Sequence, residues 1–592
     1  PGKQNVIFAG GDGTSGNPYQ IATVTQLDSV RNYLDAHFIL TADIDLNVSP
    51  YKDGTGWEPI GDNINPFSGG FDGNGHTINK LFIDNSTQDF QGLFGTVSGK
   101  NEFKDLSLDS VNVTGRYQVA GLIGDARGAN VSNVHISGAV TGVQYTGFFF
   151  GRSFSSTSVI DSSSSSGSVI SSSNLAGGFI GSIEDTTSVS NSSSSASVQV
   201  LNNNGYGGGL IGRAFDNATI TNSHATGDIT GNNRMGGLIG YSRATIQNSY
   251  ATGNVTVNGN YNGGLVGVQA ANTITDSYSK GKVTTSLDYA GGIAGIIEGT
   301  ADVSTSYATG DIDGRSYIGG LAGRISANSL VEDSYATGAI DGSSYVGGIT
   351  GILFGDLTNA YALGRFLGSS TSNVGPLVGF TDNSATITSS YWNSHIFGPT
   401  SNPAGTTQTT EELYQEATYT GWDFTSVWSI QEGQSYPYLQ SAIPDTIPAA
   451  TNFYAGGFGS ESQPFQISTP DELSKLLEYP YAYFELINDI DLDVAPYNSG
   501  TGWEPIGSTF DPFYGTMDGN DYTISKLFIN DSSTDYLGLF GVVSGKNEFR
   551  DINLDSVNIT GRNYVAALIA EARGVNIKKV NASGSVTGQQ YV

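Results

Sequence analysis

Short apolar runs recur along the chain at a nearly constant step, separated by glycine and small polar residues. The clearest run is Y-I-G-G-L-A-G at 317–323, and the same pattern stands at 261–267, 289–295 and 345–351. These four copies of the glycine motif, each with an aromatic residue, two glycines, an aliphatic residue and a glycine, begin 28 residues apart. A repeat of about 20–50 residues built from short β-type runs indicates a solenoid.

Each repeat contains three short runs, and none of them has the apolar spacing of a helix. Over 246–267 the runs are I-Q-N-S-Y, G-N-V-T-V and Y-N-G-G-L-V-G. β-branched residues are frequent in them, and Gly, Asn or Ser separates them, as is typical of strands. Because parallel crossovers are almost always right-handed, the sequence predicts an all-β fold, a right-handed parallel β-helix with three strands and about 28 residues per coil.

The aliphatic residue of each glycine motif is predicted to fill the core of the coil. In a second copy of a longer repeat, Ala567 and Ala570 stand where the first copy has Gly121 and Gly124. Alanine tolerates positive φ poorly, so small size is the predicted need at these positions, while a bend at the doubled glycine stays open. One residue per coil should form a buried ladder: Leu210, Leu238, Leu265, Ile293, Leu321 and Ile349.

The serine-rich stretch 153–200 is compatible with a linker or with further coils. A glycine motif at 175–181 keeps the period, which favours coils in which serine replaces the aromatic residues. In that interpretation the stretch aligns with a later coil, so that Val159, Asp161 and Ser162 correspond to Ile246, Asn248 and Ser249. The linker remains the alternative.

A second, longer repeat divides the chain. Residues 8–146 align without a gap with 454–592 at an offset of 446. The sequence therefore predicts one complete unit, the start of a second unit, and a tandem array that has more units than this sequence contains. A short proline-containing join at 441–450 should let successive units follow one another as a stiff rod.

The predicted domains follow from these repeats. They are a cap and lead-in at 1–90, β-helix coils at 91–380, a closing segment at 381–445 and the start of a second unit at 446–592. The cap should contain a short helix near Val24–Leu34, because Leu27, Val30 and Leu34 fall on one helical face.

The composition excludes several classes of protein. The formal net charge is −30, which makes nucleic acid and anionic membranes poor partners. The chain has no cysteine, so disulfides and thiolate chemistry are excluded. It has no apolar run of about 18 residues, so no transmembrane segment is predicted within it.

The glycine motif resembles the GLUG motif of bacterial and archaeal cell-surface proteins, which is known from adhesin-like proteins and from regions that accompany IgA-type metallopeptidases. The lead-in resembles the segment that usually precedes such arrays: G-G-D-G-T-S-G-N-P-Y-Q-I at 10–21, G-W-E-P-I-G at 56–61 and F-D-G-N-G-H-T-I at 71–78. S-S-Y-W-N at 389–393 resembles the closing segment. The resemblance implies a β-helix displayed outside the cell, with an adhesive or scaffolding role.

Catalytic residues are not predicted. A metallopeptidase of this kind needs H-E-x-x-H or an equivalent, and the five histidines do not form one: His37, His76, His135, His224 and His395. A polysaccharide lyase or hydrolase needs carboxylates, often with a basic residue, converging on adjacent coils. The repeating columns are instead Ser, Thr, Asn and Tyr, and Arg152, Arg213 and Arg324 are interpreted as solvated charges at turns.

Two acidic pairs are candidates for a calcium site. Asp43 and Asp45 lie two residues apart in D-I-D, and Asp489 and Asp491 repeat them in the second unit. If the segment is a strand, the two acids share a face, and Ca²⁺ takes oxygen ligands from such loops. The alternative is that these acids bind turn amides and discourage edge pairing.

Two tyrosine columns follow from the period. One column is Tyr261, Tyr289, Tyr317 and Tyr345, and the other is Tyr250, Tyr278, Tyr307, Tyr335 and Tyr361. Exposed rings can bind sugars, and Tyr250, Tyr278, Tyr307 and Tyr335 are the candidate glycan-binding residues. The alternative is that the rings stack on one another along the coils or lie over a glycine.

The sequence as a whole predicts an extracellular structural or adhesive repeat protein that forms a stiff rod or stalk on the cell surface. Its expected partners are other copies or units of itself, or surface glycans. The alternative is a carbohydrate-binding or polysaccharide-active β-helix protein. No cofactor other than calcium is expected.

Overall fold

The computed structural model describes residues 8–215, 217–368, 372–400, 402 and 404–592. They form an all-β fold, a parallel β-solenoid of about 18 turns with roughly 28 residues per coil and few helices. The predicted fold class is therefore confirmed. Residues 1–7 of the predicted cap lie outside the described residues.

The chain forms two compact units. The first consists of Pro1–Gly338, Ser344–Ala360 and Val378–Ile387. The second consists of Ala339–Ser343, Tyr361–Leu377 and Thr388–Val592. Each unit is described by itself.

A coil of the first unit contains more strands than the three predicted runs. Over the predicted runs 246–267, the strands are Thr245–Gln247, Tyr250–Ala251, Val255–Val257, Asn262–Gly263 and Val266–Gln269. Two of the runs are therefore broken, each at a corner of the coil. Numbered from the start of the glycine motif, a coil has strands one to five.

Strands with the same number pair in parallel from coil to coil. Strand one is Tyr117–Ala120, Gln144–Gly147, Leu175–Gly177, Tyr206–Gly208, Met235–Gly236, Asn262–Gly263, Asp288–Gly291, Ser316–Gly319 and Ser344–Gly347. Strand two is Phe150–Ser153, Ile180–Ile183, Ile211–Ala214, Ile239–Ser242, Val266–Gln269, Ala294–Ile297, Ala322–Ile325, Thr350–Leu353 and Val378–Thr381.

The other three strands of the coil repeat in the same way. Strand three is Val159–Asp161, Ser188–Ser190, Thr219–Thr221, Thr245–Gln247, Thr273–Thr275, Asp302–Ser304 and Thr386–Thr388. Strand four is Ser193–Ser194, His224–Ala225, Tyr250–Ala251, Tyr278–Ser279 and Tyr307–Ala308, and strand five is Ser197–Val200, Ile229–Gly231, Val255–Val257, Val283–Thr285 and Ile312–Asp313. Some coils fuse two or more of these strands: Phe94–Thr114, Ile123–Gly142, Ser164–Ser171, Leu330–Ala336 and Asp356–Ala362.

The predicted aliphatic ladder fills the core beside strand two. All six of its members are fully buried: Leu210, Leu238, Leu265, Ile293, Leu321 and Ile349. Their backbones also bond in register, since the N–H of Leu321 donates to the carbonyl of Ile349 at 2.9 Å and the N–H of Ile293 donates to Leu321 at 2.8 Å. The ladder prediction is confirmed.

The glycines of the motif are required for their small size and not for their backbone conformation. None of the glycines in 317–323 has positive φ. A Cβ added to Gly320 would lie 2.2 Å from the carbonyl oxygen of Gly348 in the next coil, which is closer than atoms can approach. The left-handed residue of the motif is its tyrosine, with φ 59° at Tyr317. The chain does bend at the doubled glycine, at Gly320 and Leu321 between strands one and two, and Tyr317 is a separate left-handed position just before that bend.

The other left-handed corner lies between strands three and four. Asn248 has φ 49° there, and the next residue, Ser249, is buried. The Ser249 hydroxyl donates to the carbonyl of Gln247 at 2.8 Å, and the Ser249 N–H donates to the hydroxyl of Ser277 at 3.2 Å in the next coil. Serine thus satisfies the backbone groups that the corner removes from the strand pairing.

The serine-rich stretch 153–200 consists of coils with this same corner. Ser163 and Ser192 are buried and continue the serine ladder, since the N–H of Ser163 donates to the hydroxyl of Ser192 at 3.2 Å. The predicted alignment was wrong by one residue. Strand pairing carries Ile160, not Val159, through Val189 and Ile220 onto Ile246.

The cap contains the predicted helix. An α-helix at Val24–Ser29 continues into a 3₁₀-helix at Val30–Asn32. The hydroxyl of Thr23 accepts from the N–H of Gln26 and so caps the first turn. Leu27 and Val30 are fully buried, whereas Leu34 lies after the helix. The lead-in strands are Tyr19–Ile21, Phe38–Leu40, Ile44–Asp45, Phe71–Asp72, Thr77–Asn79 and Phe82–Asp84.

The second unit combines irregular segments with a second lead-in. Its α-helices are Ser394–Phe397, Thr410–Leu413 and Pro470–Ser474, and its 3₁₀-helices are Glu416–Thr418, Ala450–Asn452 and Leu476–Glu478. Its strands, besides the short Ile340–Asp341, are Ser372–Gly375, Tyr391–Asn393, Thr406–Gln408, Trp428–Ser429, Tyr438–Leu439, Phe465–Ile467, Tyr483–Leu486, Ile490–Asp491, Thr516–Asp518, Thr523–Ser525, Phe528–Asn530, Phe540–Ser544, Glu548–Thr560, Ile569–Arg573 and Asn576–Thr587. No helix of the described residues in either unit is long and apolar enough to span a membrane.

Replacing Leu321 by aspartate tests the aliphatic ladder. Leu321→Asp would bury an unpaired carboxylate, and we expect it to lower the free energy of unfolding by several kcal/mol. The matched control is Leu321→Ile, because Ile293 and Ile349 already stand in the ladder; it should cost less than about 1.5 kcal/mol. Thermal melting followed by circular dichroism measures both, and an unchanged melting temperature for Leu321→Asp would show that the ladder is misplaced.

Adding a methyl group to a glycine of the motif tests the close approach between coils. Gly320→Ala should lower the melting temperature by several degrees, because its Cβ would collide with the backbone of the next coil. Gly16→Ala is the control, since a Cβ at Gly16 would meet no atom within 4 Å. Equal melting temperatures for the two variants would contradict the steric explanation.

Candidate functional site

The candidate glycan-binding tyrosines form a continuous stack along strand four. Ring centroids are 4.8 Å apart between Tyr250 and Tyr278, 4.9 Å between Tyr278 and Tyr307, and 5.0 Å between Tyr307 and Tyr335, with interplanar angles of at most 9°. Tyr307 and Tyr335 are fully buried, whereas Tyr250 and Tyr278 are half-buried. The rings thus present their faces to one another, and glycan binding at this column stays a prediction.

The first acid of each candidate calcium pair accepts a hydrogen bond from the first residue of a lead-in strand. Asp43 accepts from the N–H of Thr77 at 3.0 Å, and its equivalent Asp489 accepts from the N–H of Thr523 at 2.8 Å. The bond from Thr77 and the one from His76 hold the pKa of the Asp43 carboxyl below its usual value.

The second acid of each pair faces a lysine. Asp45 lies 3.4 Å from Lys80, and Asp491 lies 2.9 Å from Lys526. No group of three or more His, Cys, Asp or Glu side chains that could hold a metal occurs within the described ranges. Calcium binding stays a prediction.

An open groove of about 410 Å³ lies on a different face of the first unit, beside the other tyrosine column. We name it the tyrosine groove. Its aromatic and basic lining residues are Tyr206, Tyr241, Tyr261, Tyr289, Arg213, Arg234 and Arg324, and its remaining lining is Phe215, Val268, Ile296 and Glu298. Every lining residue belongs to one of five consecutive coils.

One wall of the groove is the corner residue at the start of each glycine motif. Strand pairing places Arg234 between Tyr206 and Tyr261 in the adjacent coils, and Tyr289 follows Tyr261. Arg234, Tyr261 and Tyr289 all have the left-handed backbone of this corner, with φ of 55°, 66° and 63°. The rings of Tyr261 and Tyr289 stack at 5.2 Å, and the stack continues to Tyr317 at 4.5 Å.

Arg234 occupies a place in this stack that the other coils give to tyrosine. Its guanidinium carbon lies 5.2 Å from the ring centre of Tyr206 and 5.4 Å from that of Tyr261. These distances are in the range of cation–π contacts. A guanidinium held between two rings keeps the N–H groups in its own plane available for an acceptor at its edge.

The floor of the groove is the outward-facing position of strand two. Pairing registers Arg213, Tyr241, Val268, Ile296 and Arg324 in five successive coils. Val268 and Ile296 are only 4% and 5% exposed, so the middle of the floor is apolar and nearly buried. Burial also raises the pKa of Tyr241, which keeps its hydroxyl neutral.

The arginines of the groove differ in their partners. Arg213 pairs with Glu184 at 2.9 Å, and Arg152, two coils earlier in the same column, pairs with the buried Asp125 at 2.9 Å. Among the described residues, no carboxylate oxygen lies within 4.0 Å of a guanidinium nitrogen of Arg234 or Arg324, so neither arginine forms an ion pair. Arg324 instead lies over the ring of Phe354 at 5.2 Å, and its buried Nε atom donates to no described acceptor.

The sequence contained one signal for this groove. R-M-G-G-L-I-G at 234–240 has arginine at the position that is aromatic in most other glycine motifs. The interpretation of Arg213 and Arg324 as solvated turn charges missed that they stand in one column with Tyr241. It also missed that the coils bring this column beside the tyrosine corners.

The GLUG motif is the family model that matches this chain, at residues 203–230, 231–256 and 314–341. The chain thus carries GLUG repeats, as the resemblance implied. The matches include Tyr206, Arg213, Arg234, Tyr241 and Arg324 of the tyrosine groove, whereas its other tyrosines, Tyr261 and Tyr289, lie between the second match and the third.

Two relatives are similar to parts of this chain. The chain is 42% identical over 134 residues to a protein of Evansella cellulosilytica described as a Gly-rich membrane protein, an alignment that covers 22% of this chain and 16% of that protein. It is 35% identical over 163 residues to Halomucin of Haloquadratum walsbyi, covering 26% of this chain and 2% of Halomucin. The chain therefore spans only a small part of either relative.

A solved structure is also similar at a low level. The crystal structure of a protein described as an immunoglobulin A1 protease from Bacteroides ovatus aligns with a TM-score of 0.28 and 16% identity, over 74% of this chain and 96% of that chain. Agreement this low supports no inference about fold or activity.

A calcium titration tests the acidic pairs. If Asp43 and Asp489 contribute to calcium sites, about 1 mM Ca²⁺, a concentration suited to extracellular sites, should raise the melting temperature, and Asp43→Asn with Asp489→Asn should abolish the rise. Asp382→Asn is the control, because Asp382 also accepts a backbone N–H but has no second acid two residues away. The same shift with Mg²⁺, or none with Ca²⁺, would contradict a calcium site.

Proposed function

We propose that this chain is an extracellular structural and adhesive repeat protein whose solenoid serves as a stiff rod or stalk at the cell surface. The observation that carries the proposal is the ladder from Leu210 to Ile349, which is fully buried in every coil. A solenoid in which each coil packs on the next without a break resists bending at any one coil. Such a structure is suited to extending a surface away from its point of attachment.

The cell-surface location is proposed from three independent features. GLUG repeats are present, the two relatives are named Gly-rich membrane protein and Halomucin, and the net charge of −30 favours solubility and discourages non-specific binding to nucleic acid. The proposed partners are further copies or units of the same protein, or glycans on a neighbouring surface.

We do not propose an enzymatic role. Glycoside hydrolysis usually employs two carboxyl groups, and Glu298 is the one acidic residue among the described residues that line the tyrosine groove. The runner-up function, carbohydrate binding, is favoured by that groove and its tyrosines. It is compatible with an adhesive stalk, because a stalk needs a surface that attaches to something.

Removing whole coils tests the stalk. Deletion of residues 261–344 removes three 28-residue repeats and joins Asn260 to Tyr345, so the motif continues in phase. Because each coil contacts only its neighbours, we expect a folded protein whose maximum dimension in small-angle X-ray scattering falls by roughly 14 Å, three steps of about 4.8 Å.

The control deletion has to break the phase. Deletion of residues 261–330 removes two and a half repeats and should leave the protein unfolded or strongly destabilised, because every strand after the junction loses its partner. A folded in-phase deletion with an unchanged maximum dimension would contradict the stalk.

A further inference from the structure

We propose that the tyrosine groove binds an acidic saccharide chain, with carboxylate or sulfate groups of the sugar held by Arg234 and Arg324. The proposal deepens the adhesive part of the proposed function, because it names the class of ligand and the residues that hold it.

Charge is the first reason. The chain has 55 acidic and 25 basic residues other than histidine, yet the groove is lined by three arginines and one glutamate. Elsewhere in the same column the guanidinium of Arg152 is neutralised by Asp125. Two guanidiniums without an ion pair on an acidic surface are the groups that an anionic ligand would neutralise.

The geometry of Arg234 is the second reason. Tyr206 and Tyr261 hold its guanidinium on both faces, which fixes the plane and directs the N–H groups sideways. Little conformational entropy is then lost when an anion binds to that edge. A planar fork of donors is the arrangement that recognises a carboxylate or a sulfate with two parallel hydrogen bonds.

The spacing of the two arginines indicates a chain and not a single sugar. Arg234 precedes Tyr241 in one coil, and the register from Tyr241 through Val268 and Ile296 to Arg324 is three coil steps. At about 4.8 Å per step the two guanidinium positions are roughly 14 Å apart along the solenoid. One monosaccharide cannot reach both, whereas an oligosaccharide with a charge on each ring can.

The surface between the arginines favours a saccharide over an acidic peptide. Tyr261 and Tyr289 are half-buried and line the groove with aromatic rings that carry hydroxyls, which suits a ligand that has hydroxyl groups around an apolar ring. The strands below the groove pair with a coil on both sides, from Ile239 to Val266 and from Val266 to Ala294. A peptide therefore has no free strand edge to extend.

Isothermal titration calorimetry on the 592-residue chain tests the proposal. The probes are galacturonate, oligogalacturonates of increasing length, polygalacturonate and its methyl ester, and the control polyanion is polyglutamate. We expect affinity to rise steeply once the oligomer spans both arginines, and to fall about tenfold or more when methyl esterification removes the charges. A sulfated glycan, tested in parallel, distinguishes sulfate from carboxylate as the preferred group.

The variants are chosen from residues that the columns already contain. Arg234→Tyr restores the tyrosine of the neighbouring corners, and Arg324→Ile matches Ile296 and Ile352 on either side. Both should fold with nearly unchanged melting temperatures, while the double variant should bind polygalacturonate at least about tenfold more weakly. Arg116→Gln is the control, since it removes a cation that is paired with Asp89 outside the groove, and it should bind within about twofold of the unchanged protein.

Four results would overturn the proposal: no binding of any acidic saccharide, equal binding of the methyl ester, equal binding of polyglutamate, or unchanged binding by the folded double variant. None of these results would affect the scattering test of the stalk, which measures coil stacking in the absence of ligand. Failure of the groove and failure of the stalk are therefore distinguishable.

Discussion

The close approach of backbones at the glycine motif is the constraint on which the rest of the structure depends. At Gly320 the backbone of one coil passes so near Gly348 of the next that no side chain fits between them. That contact brings the aliphatic ladder together, because Leu321 and Ile349 follow directly after these glycines. Once one coil is set in register on the next, every other column of the solenoid is set as well.

The corners of the coil use this register in two different ways. At the corner between strands three and four, Ser249 and its equivalents turn inward and bond to backbone groups of two coils. At the corner of the glycine motif, Tyr261 and its equivalents stack on one another at the surface. The first corner therefore stabilises the coil, and the second is free to vary without disturbing the core.

The tyrosine groove is a local variation of that second corner. Exchanging one tyrosine of the stack for Arg234 keeps the stacking and adds a charge. Arg324 lies in the neighbouring column, where Val268 and Ile296 are apolar. Both arginines stand at positions outside the buried aliphatic ladder, so these two residues can form the proposed binding surface without changing the core. This arrangement is consistent with a stalk that also binds a saccharide.

The period and the apolar pattern were sufficient to predict the solenoid, the ladder and the capping helix, because all three follow from residues that repeat at fixed positions. The corners were not predictable in the same way. Left-handed backbone is expected of glycine and asparagine, so Asn248 was a plausible signal, but a tyrosine such as Tyr317 is not. The register of Ile160 was missed because adjacent Val and Ile satisfy the pattern equally well.

The candidate site was the least predictable feature. Both tyrosine columns repeat with the same period, so the sequence does not show that Tyr307 and Tyr335 are buried while Tyr261 and Tyr289 line a groove. That difference depends on the backbone conformation at the corners of the coil, and only the folded structure shows that conformation.

Amide hydrogen exchange across the glycine motifs tests the central constraint most directly. If the backbone approach at these motifs holds the coils in register, the amides of 261–267, 289–295 and 317–323 should be among the slowest to exchange in the chain, with similar protection in all three. Rapid exchange at the glycine motifs, with protection confined to other strands of the coil, would contradict the account.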